Sequence, residues 1–374
     1  MWLVSGVNYG AYGNGDKPAF YGSKQDYSDA SWKSEGNNVY SLYIGTTDSG
    51  AVILNDSVTG VKRFDIADLG DDGDFYHNLS TGVIYLYSTV SIDSYDSVEI
   101  SRAFDMIAVT NRKNIHIDNL SLKYGARHGI SGSNAESITV TNCEISYIGG
   151  MGTDIDGRLG NGIEFFSSAK DITVENCYIS QCYDAGFTFQ GKATGDFENI
   201  SFTDNLVEYC HYGIEFFNYD SDDLTKSGKY KDITISDNII SYTGYGFGSY
   251  IGQRKYWIST ASICGWKDGI LSCKNFKIKD NIFNRTLGNF VYWKYNSLID
   301  DSNIQIYVSG NSFYQSECTV YTSDLTSLYK NGAINYGYIA TVDTDNQTYA
   351  TDTASLEIAI GTFDKNAKNI LYFK

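Results

Sequence analysis

The chain has 374 residues, a formal net charge of −17 and an aromatic content of 15%. An acidic protein repels the phosphates of nucleic acid and anionic lipid head groups, so we expect no nucleic acid partner and no membrane partner. A neutral ligand is easier to accommodate, and exposed aromatic rings suit the apolar faces of a polysaccharide or oligosaccharide. The seven cysteines contain no CxxC pair, which argues against a structural zinc site.

The N-terminal segment, residues 1–104, predicts a small β unit. Residues 74–77 followed by residues 82–87 are typical of a hairpin, and the repeat described below is absent from this region. We expect the unit to pack on the following solenoid or to cap its N-terminal end. No signal peptide is visible at Met1, and no stretch is long and apolar enough to span a membrane.

One motif recurs through residues 105–315 and predicts a solenoid of stacked strands. Each copy alternates apolar and polar residues with period two, as a half-buried strand does, and most copies carry Asn or Asp near the end. The copies lie at 114–122, 137–145, 171–179, 199–207, 232–240, 275–283 and 304–313. The shortest spacing approximates one bare coil, and the longer spacings predict loops inserted at fixed corners.

Matched positions of successive copies should stack about 4.8 Å apart. The central apolar residues are expected to stack inside: Ile117, Val140, Val174, Phe202, Ile235 and Ile278. Asn205, Asn238 and Asn281 should form a ladder at a turn, with their side-chain amides satisfying the turn backbone.

Cysteines also fall into two stacked pairs. Cys143 lies in column with Cys177, and Cys182 with Cys210. We interpret all four as internal thiols that act as small apolar residues. A disulfide is geometrically conceivable at this spacing but is not required.

A second strand precedes the motif copies and begins at a shared glycine, which lets the backbone bend into the strand. The glycines are Gly129, Gly162, Gly186, Gly213 and Gly246. The next residue is apolar and should point inward, and the one after it should point outward. The outward column is predicted to be Ser131, Glu164, Thr188, Glu215 and Gly248.

Residues 316–374 are rich in Ser, Thr and Asp and are predicted to form a C-terminal coil or cap. The sequence therefore predicts an all-β protein: an N-terminal unit at 1–104, a right-handed parallel β-helix at 105–315, and the cap. A leucine-rich repeat is the rival solenoid, but its regular leucine pattern is absent.

The repeats resemble the pectate-lyase-like superfamily of right-handed parallel β-helix proteins. Residues 160–165, 183–186, 75–77 and 84–87 are similar to segments of bacterial secreted β-helix proteins assigned as glycoside hydrolases. The segment 9–19 also resembles such proteins, where more strand precedes it, so we expect a truncated first coil. The resemblance is specific for fold and weak for reaction, because this fold hosts lyases, hydrolases, epimerases and tailspikes. It implies that acidic residues on neighbouring coils do the chemistry if the protein is a glycosidase.

Three carboxylates are candidate catalytic groups. Glu164 and Glu215 share the outward position two coils apart, about 9.6 Å between backbones, and an inverting glycosidase holds its carboxyls about 6.5–9.5 Å apart. Asp184 lies between them, and a Glu164–Asp184 pair nearer about 5 Å would suit a retaining mechanism. The alternative reading is that all three are solvated charges on an external face.

Neighbouring polar and aromatic side chains are candidates for catalysis or substrate binding. His128 is a further catalytic candidate, and Arg127 beside it could bind a substrate carboxylate or tune a carboxyl pKa. The alternative for His128 or His211 is a structural role, as a turn residue whose ring is hydrogen-bonded to the backbone. The substrate-binding candidates are Arg127, Asn161, Arg158, Gln190, His211, Tyr250, Arg254 and Trp257.

No cofactor is expected, although one loop could bind Ca²⁺. Asp154 and Asp156 form an Asp-x-Asp pattern that could offer oxygen ligands to Ca²⁺, whereas most loops of this composition are simply polar.

The preferred function is a glycoside hydrolase that cleaves a polysaccharide with paired carboxylates on the outer face. A polysaccharide lyase is the first alternative, with Arg127, His128 and Gln190 as candidates, but the acidic charge suits a polyanionic substrate poorly. A non-catalytic glycan-binding tailspike or adhesin is the second. Because polysaccharides lie outside the cell, we expect an extracellular or periplasmic site of action.

Overall fold

The computed structural model describes residues 1–58, 60–102, 104–152, 159–220, 222–223, 225–248, 260–265, 272–286, 289–293, 304–316, 334–336 and 370–373. Most of these residues wind into a parallel β-helix whose coils each pass through three faces. We name them the site face, the second face and the third face. Strands His128–Thr141 and Ile163–Glu175 run through both the site face and the second face.

The strands of each face stack in parallel. The other site-face strands are Asp105–Ala108, Ala185–Gly191, Tyr212–Asn218, Ala261–Gly265, Asn289–Trp293 and Ile334–Tyr336. Those of the second face are Asn8–Gly10, Lys113–Asp118, Phe197–Thr203, Lys229–Ser236, Ser272–Lys279 and Ile304–Ser309. Those of the third face are Ala19–Tyr21, Ser121–Lys123, Glu144–Ile148, Tyr178–Cys182, Leu206–Glu208, Ile239–Thr243, Ile282–Thr286 and Ser312–Ser316.

The predicted internal column is confirmed. Ile117, Val140, Val174, Phe202, Ile235 and Ile278 pair in register from coil to coil, and each is at most 1% exposed. Aromatic rings fill the same interior, and the rings of Phe187 and Phe202 stack with centroids 4.5 Å apart. Removing these side chains from water is the main favourable term that holds successive coils together.

Left-handed residues mark the bends of each coil. One column adopts φ values of 53–56°: Asn114, Ser137, Asp171, Asn199, Asp232 and Asn275. A second column, five residues further along, adopts φ values of 53–60°: Asn119, Asn142, Asn176, Asp204, Asp237 and Asp280. Asn and Asp tolerate this region better than other side chains with a Cβ, which explains why the motif carries them at fixed places.

The predicted asparagine ladder is confirmed and continues one coil further, to Asn311. The side-chain oxygen of Asn238 accepts the backbone N–H of Asn205 at 2.9 Å, and that of Asn281 accepts the backbone N–H of Asn238 at 3.1 Å. Asn311 repeats the contact toward Asn281 at 3.0 Å. Each Nδ2 donates to a main-chain carbonyl, so the ladder satisfies buried backbone at one corner of successive coils.

The cysteine interpretation also holds. Cys143, Cys177, Cys182 and Cys210 are buried free thiols.

Residues 1–104 are divided differently from the predicted boundary. Strands Asn8–Gly10 and Ala19–Tyr21 pair in parallel with 116–118 and 121–123, so the N-terminal residues form a coil of the solenoid itself. A separate β unit is therefore confined to residues 22–102, inserted between the third face of this coil and the site face of the next. The boundary was misplaced because the short strands at 8–10 and 19–21 lack the motif.

The inserted unit consists of two small, mainly antiparallel sheets. One contains Ser23–Asp26, Val52–Leu54, Ser57–Val58 and Val98–Ser101. The other contains Lys33–Gly36, Val39–Tyr43, Lys62–Arg63, Phe75–Asn78 and Val83–Tyr87, and its last two strands are the predicted hairpin. Short 3₁₀ helices lie at Ile66–Asp68 and Ile92–Ser94, and the unit has its own apolar core.

A buried ion pair fastens the inserted unit to the solenoid. Lys62, 4% exposed, donates to the Asp48 carboxylate at 2.7 Å and to the carbonyls of Gly150 and Gly152 at 3.1 and 3.0 Å. Asp48 in turn accepts the backbone N–H of Gly152 at 2.8 Å. Gly150 adopts a φ of +95°, and a Cβ there would lie 1.9 Å from the carbonyl oxygen of Gly50, so the contact requires glycine.

The predicted C-terminal boundary is also crossed by the solenoid. Strand Ile334–Tyr336 pairs in parallel with Asn289–Trp293 on the site face, beyond the predicted end at residue 315. Strand Ile370–Phe373 pairs with Ser312–Ser316 in the antiparallel sense. Over the described ranges, the structure contains no helix with the length and apolar character needed to cross a membrane.

Candidate active site

The outward column of the site face brings two candidate carboxylates into line. Ser131 pairs with Glu164, Glu164 with Thr188, and Thr188 with Glu215, each on adjacent coils. The expectation that Gly248 continues this column is wrong, since Glu215 pairs with Cys264. Gly248 instead packs on the backbone of Tyr183, where a Cβ would lie 2.4 Å from its Cα, so the chain crosses an earlier corner there.

Glu164 lies in a buried polar cage and is 7% exposed. Its Oε2 accepts hydrogen bonds from Nδ2 of Asn161 at 2.7 Å and from Nε2 of Gln190 at 3.1 Å. Its Oε1 lies 3.5 Å from Oγ of Ser131 and 3.5 Å from Nε2 of His128. The predicted site residues His128, Asn161 and Gln190 therefore meet directly at Glu164.

Asn161 has a fixed orientation in this cage. Its Oδ1 accepts the backbone N–H of Ala185 at 3.0 Å, so its Nδ2 must face Glu164. The bend between residues 161 and 163 allows this side chain, three residues earlier in the chain, to reach the same carboxyl group.

Burial raises the pKa of the Glu164 carboxyl, because desolvation disfavours its charged form. The hydrogen bond from Asn161, the charge of Arg127 and the hydrogen bonds from Gln190 and Ser131 act in the opposite direction. Oε2 accepts two amide N–H groups at 2.7 and 3.1 Å, whereas the contacts of Oε1 with Ser131 and His128 are both 3.5 Å long, so the proton of the neutral acid is placed on Oε1. Glu164 thus has the environment of a carboxylic acid that keeps its proton at higher pH than usual.

His128 is buried and neutral. Burial lowers the pKa of its imidazole from 6.5 to about 3. Nδ1 accepts the backbone N–H of Asn161 at 3.2 Å, which assigns the ring proton to Nε2, on the side of Glu164. Nδ1 is therefore occupied, and Nε2–H lies 3.5 Å from Oε1 of Glu164.

Arg127 is paired with a residue that the sequence analysis missed. Its guanidinium meets the Asp105 carboxylate through Nε at 3.0 Å and through a terminal nitrogen at 3.2 Å. Its charge nevertheless lowers the pKa of both Glu164 and His128. Asp105 lies on a site-face strand in register with His128, a pairing that the sequence motif does not mark.

Asp184, Glu215 and His211 are all buried on the coils that follow Glu164. The backbone N–H of Asp184 donates to the carbonyl of Gly160 at 3.1 Å, and its own carbonyl accepts the N–H of His211 at 2.9 Å. Asp184 therefore lies in register with Gly160, four positions before the column of Glu164. Glu215 lies in that column and is 5% exposed. The alternative reading, in which the three carboxylates are solvated external charges, is wrong because all three are buried.

Strand Ala185–Gly191 presents two buried polar atoms to the site without a hydrogen-bond partner. These atoms are Oγ1 of Thr188, which is 0% exposed, and Oε1 of Gln190. Leaving such an atom unsatisfied costs about 1–3 kcal/mol, so each is a candidate contact for a polar ligand. The sequence predicts Thr188 only as a member of the outward column and gives no sign of its unpartnered hydroxyl.

Four predicted binding residues, Arg158, Tyr250, Arg254 and Trp257, lie outside the described residues. The two candidate calcium ligands, Asp154 and Asp156, do as well, so the calcium prediction stays a prediction. Within the part of the chain that the structure describes, no group of three or more His, Cys, Asp or Glu side chains is arranged to hold a metal ion.

The fold and site define a parallel β-helix protein with a caged carboxyl group on one face. The family model described as "Right handed beta helix region" matches residues 49–225 and 105–313. The matches span more than half of the chain, and the chain belongs to this right-handed β-helix family.

Two solved structures share similarity with the chain at low identity. One, described as "Glycoside hydrolase", is 11% identical with a TM-score of 0.34, and the match covers 74% of this chain and 58% of that one. Another, described as "The complex structure of XylC with xylose", is 12% identical with a TM-score of 0.34, covering 76% and 62%. The chain thus spans less than two thirds of either structure. No curated protein matches it.

Proposed function

We propose that the protein is a glycoside hydrolase that cleaves a polysaccharide, with Glu164 as general acid and Glu215 as general base. The observation that carries the proposal is the buried cage of Glu164, in line with a second buried carboxyl group two coils away. A general acid must hold its proton near the working pH, and burial raises the pKa of Glu164 in that direction.

The register supports Glu215 as the partner. Two coils separate the backbones of Glu164 and Glu215 by about 9.6 Å, near the upper end of the spacing of about 6.5–9.5 Å that inverting glycosidases use. Asp184 remains the second candidate, because it is buried one coil from Glu164. Asp184 is less favoured as the base because it lies four positions before the column of Glu164 along the strand.

His128 is proposed as a positioning residue rather than an acid or base. Its Nδ1 already accepts a backbone N–H, and its Nε2–H faces Glu164. A lyase base needs a free lone pair, so this geometry speaks against His128 as the base of a lyase. Arg127, another lyase candidate, is paired with the Asp105 carboxylate. We further propose that the protein acts outside the cytoplasm, extracellular or periplasmic, where polysaccharides are found; immunodetection in fractions of the producing cells tests this.

The test is a screen of xylan, arabinan, galactan, β-glucan, polygalacturonate and alginate. New reducing ends without ultraviolet-absorbing unsaturated products are expected. Glu164→Gln and Glu215→Gln should each lower kcat by about 10²–10⁴-fold, the usual worth of general acid–base catalysis. Asp184→Asn tests the second candidate, and Glu175→Gln, at the exposed end of the same strand as Glu164, is the matched control.

Unsaturated products would overturn hydrolysis in favour of the lyase. Full activity of Glu164→Gln would remove Glu164 as the acid. Binding of a glycan by this face without cleavage of any polysaccharide would make the protein an adhesin or tailspike instead.

A further inference from the structure

Thr188 occupies a special place between the two proposed carboxyl groups. It pairs with Glu164 on one side and with Glu215 on the other, so its outward side chain lies midway between them. Each backbone step is about 4.8 Å. A water molecule between the two carboxyl groups would therefore lie in front of the Thr188 hydroxyl.

The hydroxyl of Thr188 has no protein partner although it is fully buried. The neighbouring Ser131 hydroxyl in the same column differs, because it contacts Oε1 of Glu164 at 3.5 Å. A buried hydroxyl without a partner is destabilising, and it persists where a bound molecule supplies the missing hydrogen bond. Gln190, two residues further on the same strand, also has a side-chain oxygen without a partner.

We propose that the Thr188 hydroxyl positions the attacking water of hydrolysis between Glu164 and Glu215, and that the enzyme inverts the anomeric configuration. This inference rests on the proposed function. A hydroxyl can donate one hydrogen bond and accept others, so Thr188 can hold a water while Glu215 accepts one of that water's protons.

The chemical step balances with groups already named. Glu164 gives its proton from Oε1 to the glycosidic oxygen as the bond between that oxygen and the anomeric carbon breaks. The water oxygen forms the new bond to the anomeric carbon from the opposite side, and a water proton passes to Glu215. The products are two sugar chains, and the proton gained by Glu215 returns to solvent as Glu164 is reprotonated.

The experiment compares Thr188→Val, which keeps the shape and removes the hydroxyl, with Thr188→Ser, which keeps the hydroxyl. The substrate is whichever polysaccharide of the screen the wild type cleaves. Thr188→Val should lower kcat by about 10- to 100-fold with little change in KM, the effect of losing one positioning hydrogen bond. Thr188→Ser should stay within a few-fold of the wild type. Proton NMR of the first product should show the inverted anomer.

Thr203→Val is the matched control, because Thr203 lies on the second face of the same coil. It should leave kcat unchanged. A first product of retained configuration overturns the inference. A Thr188→Val enzyme with the wild-type kcat also overturns it. If Glu164→Gln is inactive in that second case, the proposed function still stands. If the wild type cleaves none of the polysaccharides, the proposed function and this inference both fall.

Discussion

Nε2 of His128 lies 3.5 Å from Oε1 of Glu164, while Nδ1 of the same ring accepts the backbone N–H of Asn161. The two side chains come from adjacent coils, and both are buried. Burial shifts their pKa values in opposite directions, upward for the carboxyl and downward for the imidazole. Burial therefore disfavours the charged form of both groups, which keeps the imidazole of His128 neutral and makes Glu164 hold its proton to higher pH than usual.

The histidine makes folding stability sensitive to acid. The pKa of His128 is about 3 when folded, against an ordinary value of 6.5. As the pH falls through this window, the unfolded chain binds a proton that the folded chain does not, so stability is lost, by at most about 1.4 kcal/mol per pH unit. His128→Asn retains an acceptor near Nδ1 and removes the titration. Urea unfolding between pH 7 and pH 4 should show a shallower acid slope for the variant; identical slopes would count against a buried neutral His128.

Three neighbours should tune the pH profile of catalysis in a defined order. Hydrogen bonds from Asn161, Gln190 and Ser131 lower the pKa of Glu164, with Asn161 having the largest effect of the three and Ser131 the smallest. A general acid is active while protonated, so removing a lowering contact extends activity to higher pH. The alkaline limb of kcat should move upward most in Asn161→Ala, less in Gln190→Leu and least in Ser131→Ala. A downward shift, or a reversed order, would show that Glu164 does not supply the proton.

The asparagine ladder should be a strong determinant of stability. Asn238 accepts from the backbone and side chain of Asn205 and donates to Phe202 and Asn281. Asn238→Ala leaves buried backbone groups without partners, so the free energy of unfolding should fall by roughly 3 kcal/mol or more. Asn284→Ala, on a third-face strand, is the control and should have a small effect. If urea titrations show equal losses of unfolding free energy for the two variants, the ladder is not a strong determinant of stability.

The Lys62–Asp48 pair should matter far more than an exposed pair. Lys62→Met leaves the Asp48 carboxylate buried without its cation, which costs about 3–5 kcal/mol for such pairs. Lys33→Met removes an exposed cation that pairs with Glu35 and should cost about 1 kcal/mol or less. Thermal unfolding of the two variants measures the difference. Equal melting temperatures would mean that the inserted unit is held to the solenoid by other contacts.

Columns of the solenoid were predictable because each obeys a local rule. Alternating apolar residues place Val174 and its counterparts inside, and the Asn and Asp positions meet the need for left-handed backbone. Stacking at one repeat distance then aligns like with like, which is why the Asn ladder and the line of Glu164, Thr188 and Glu215 followed from spacing alone.

Features that depend on long-range contacts were not predictable in this way. The short strand Asn8–Gly10 has no repeat signal and finds its place only through pairing with 116–118. Asp105 and the two free polar atoms of Thr188 and Gln190 are defined by what surrounds them in space. Burial of Glu215 likewise depends on packing around the outer face, which periodicity does not describe.

The insertion of residues 22–102 has a consequence for the order of folding. The first coil must find partners about one hundred residues away, as in the hydrogen bond from the amino group of Met1 to Met106, which spans 105 residues. Later coils close over far shorter stretches, such as the 23 residues between Ser133 and Thr110. Each doubling of a closed loop adds about 0.6 kcal/mol of chain entropy. We therefore expect nucleation among the later coils and independent collapse of the inserted unit, with residues 1–21 docking last onto an edge that is already formed.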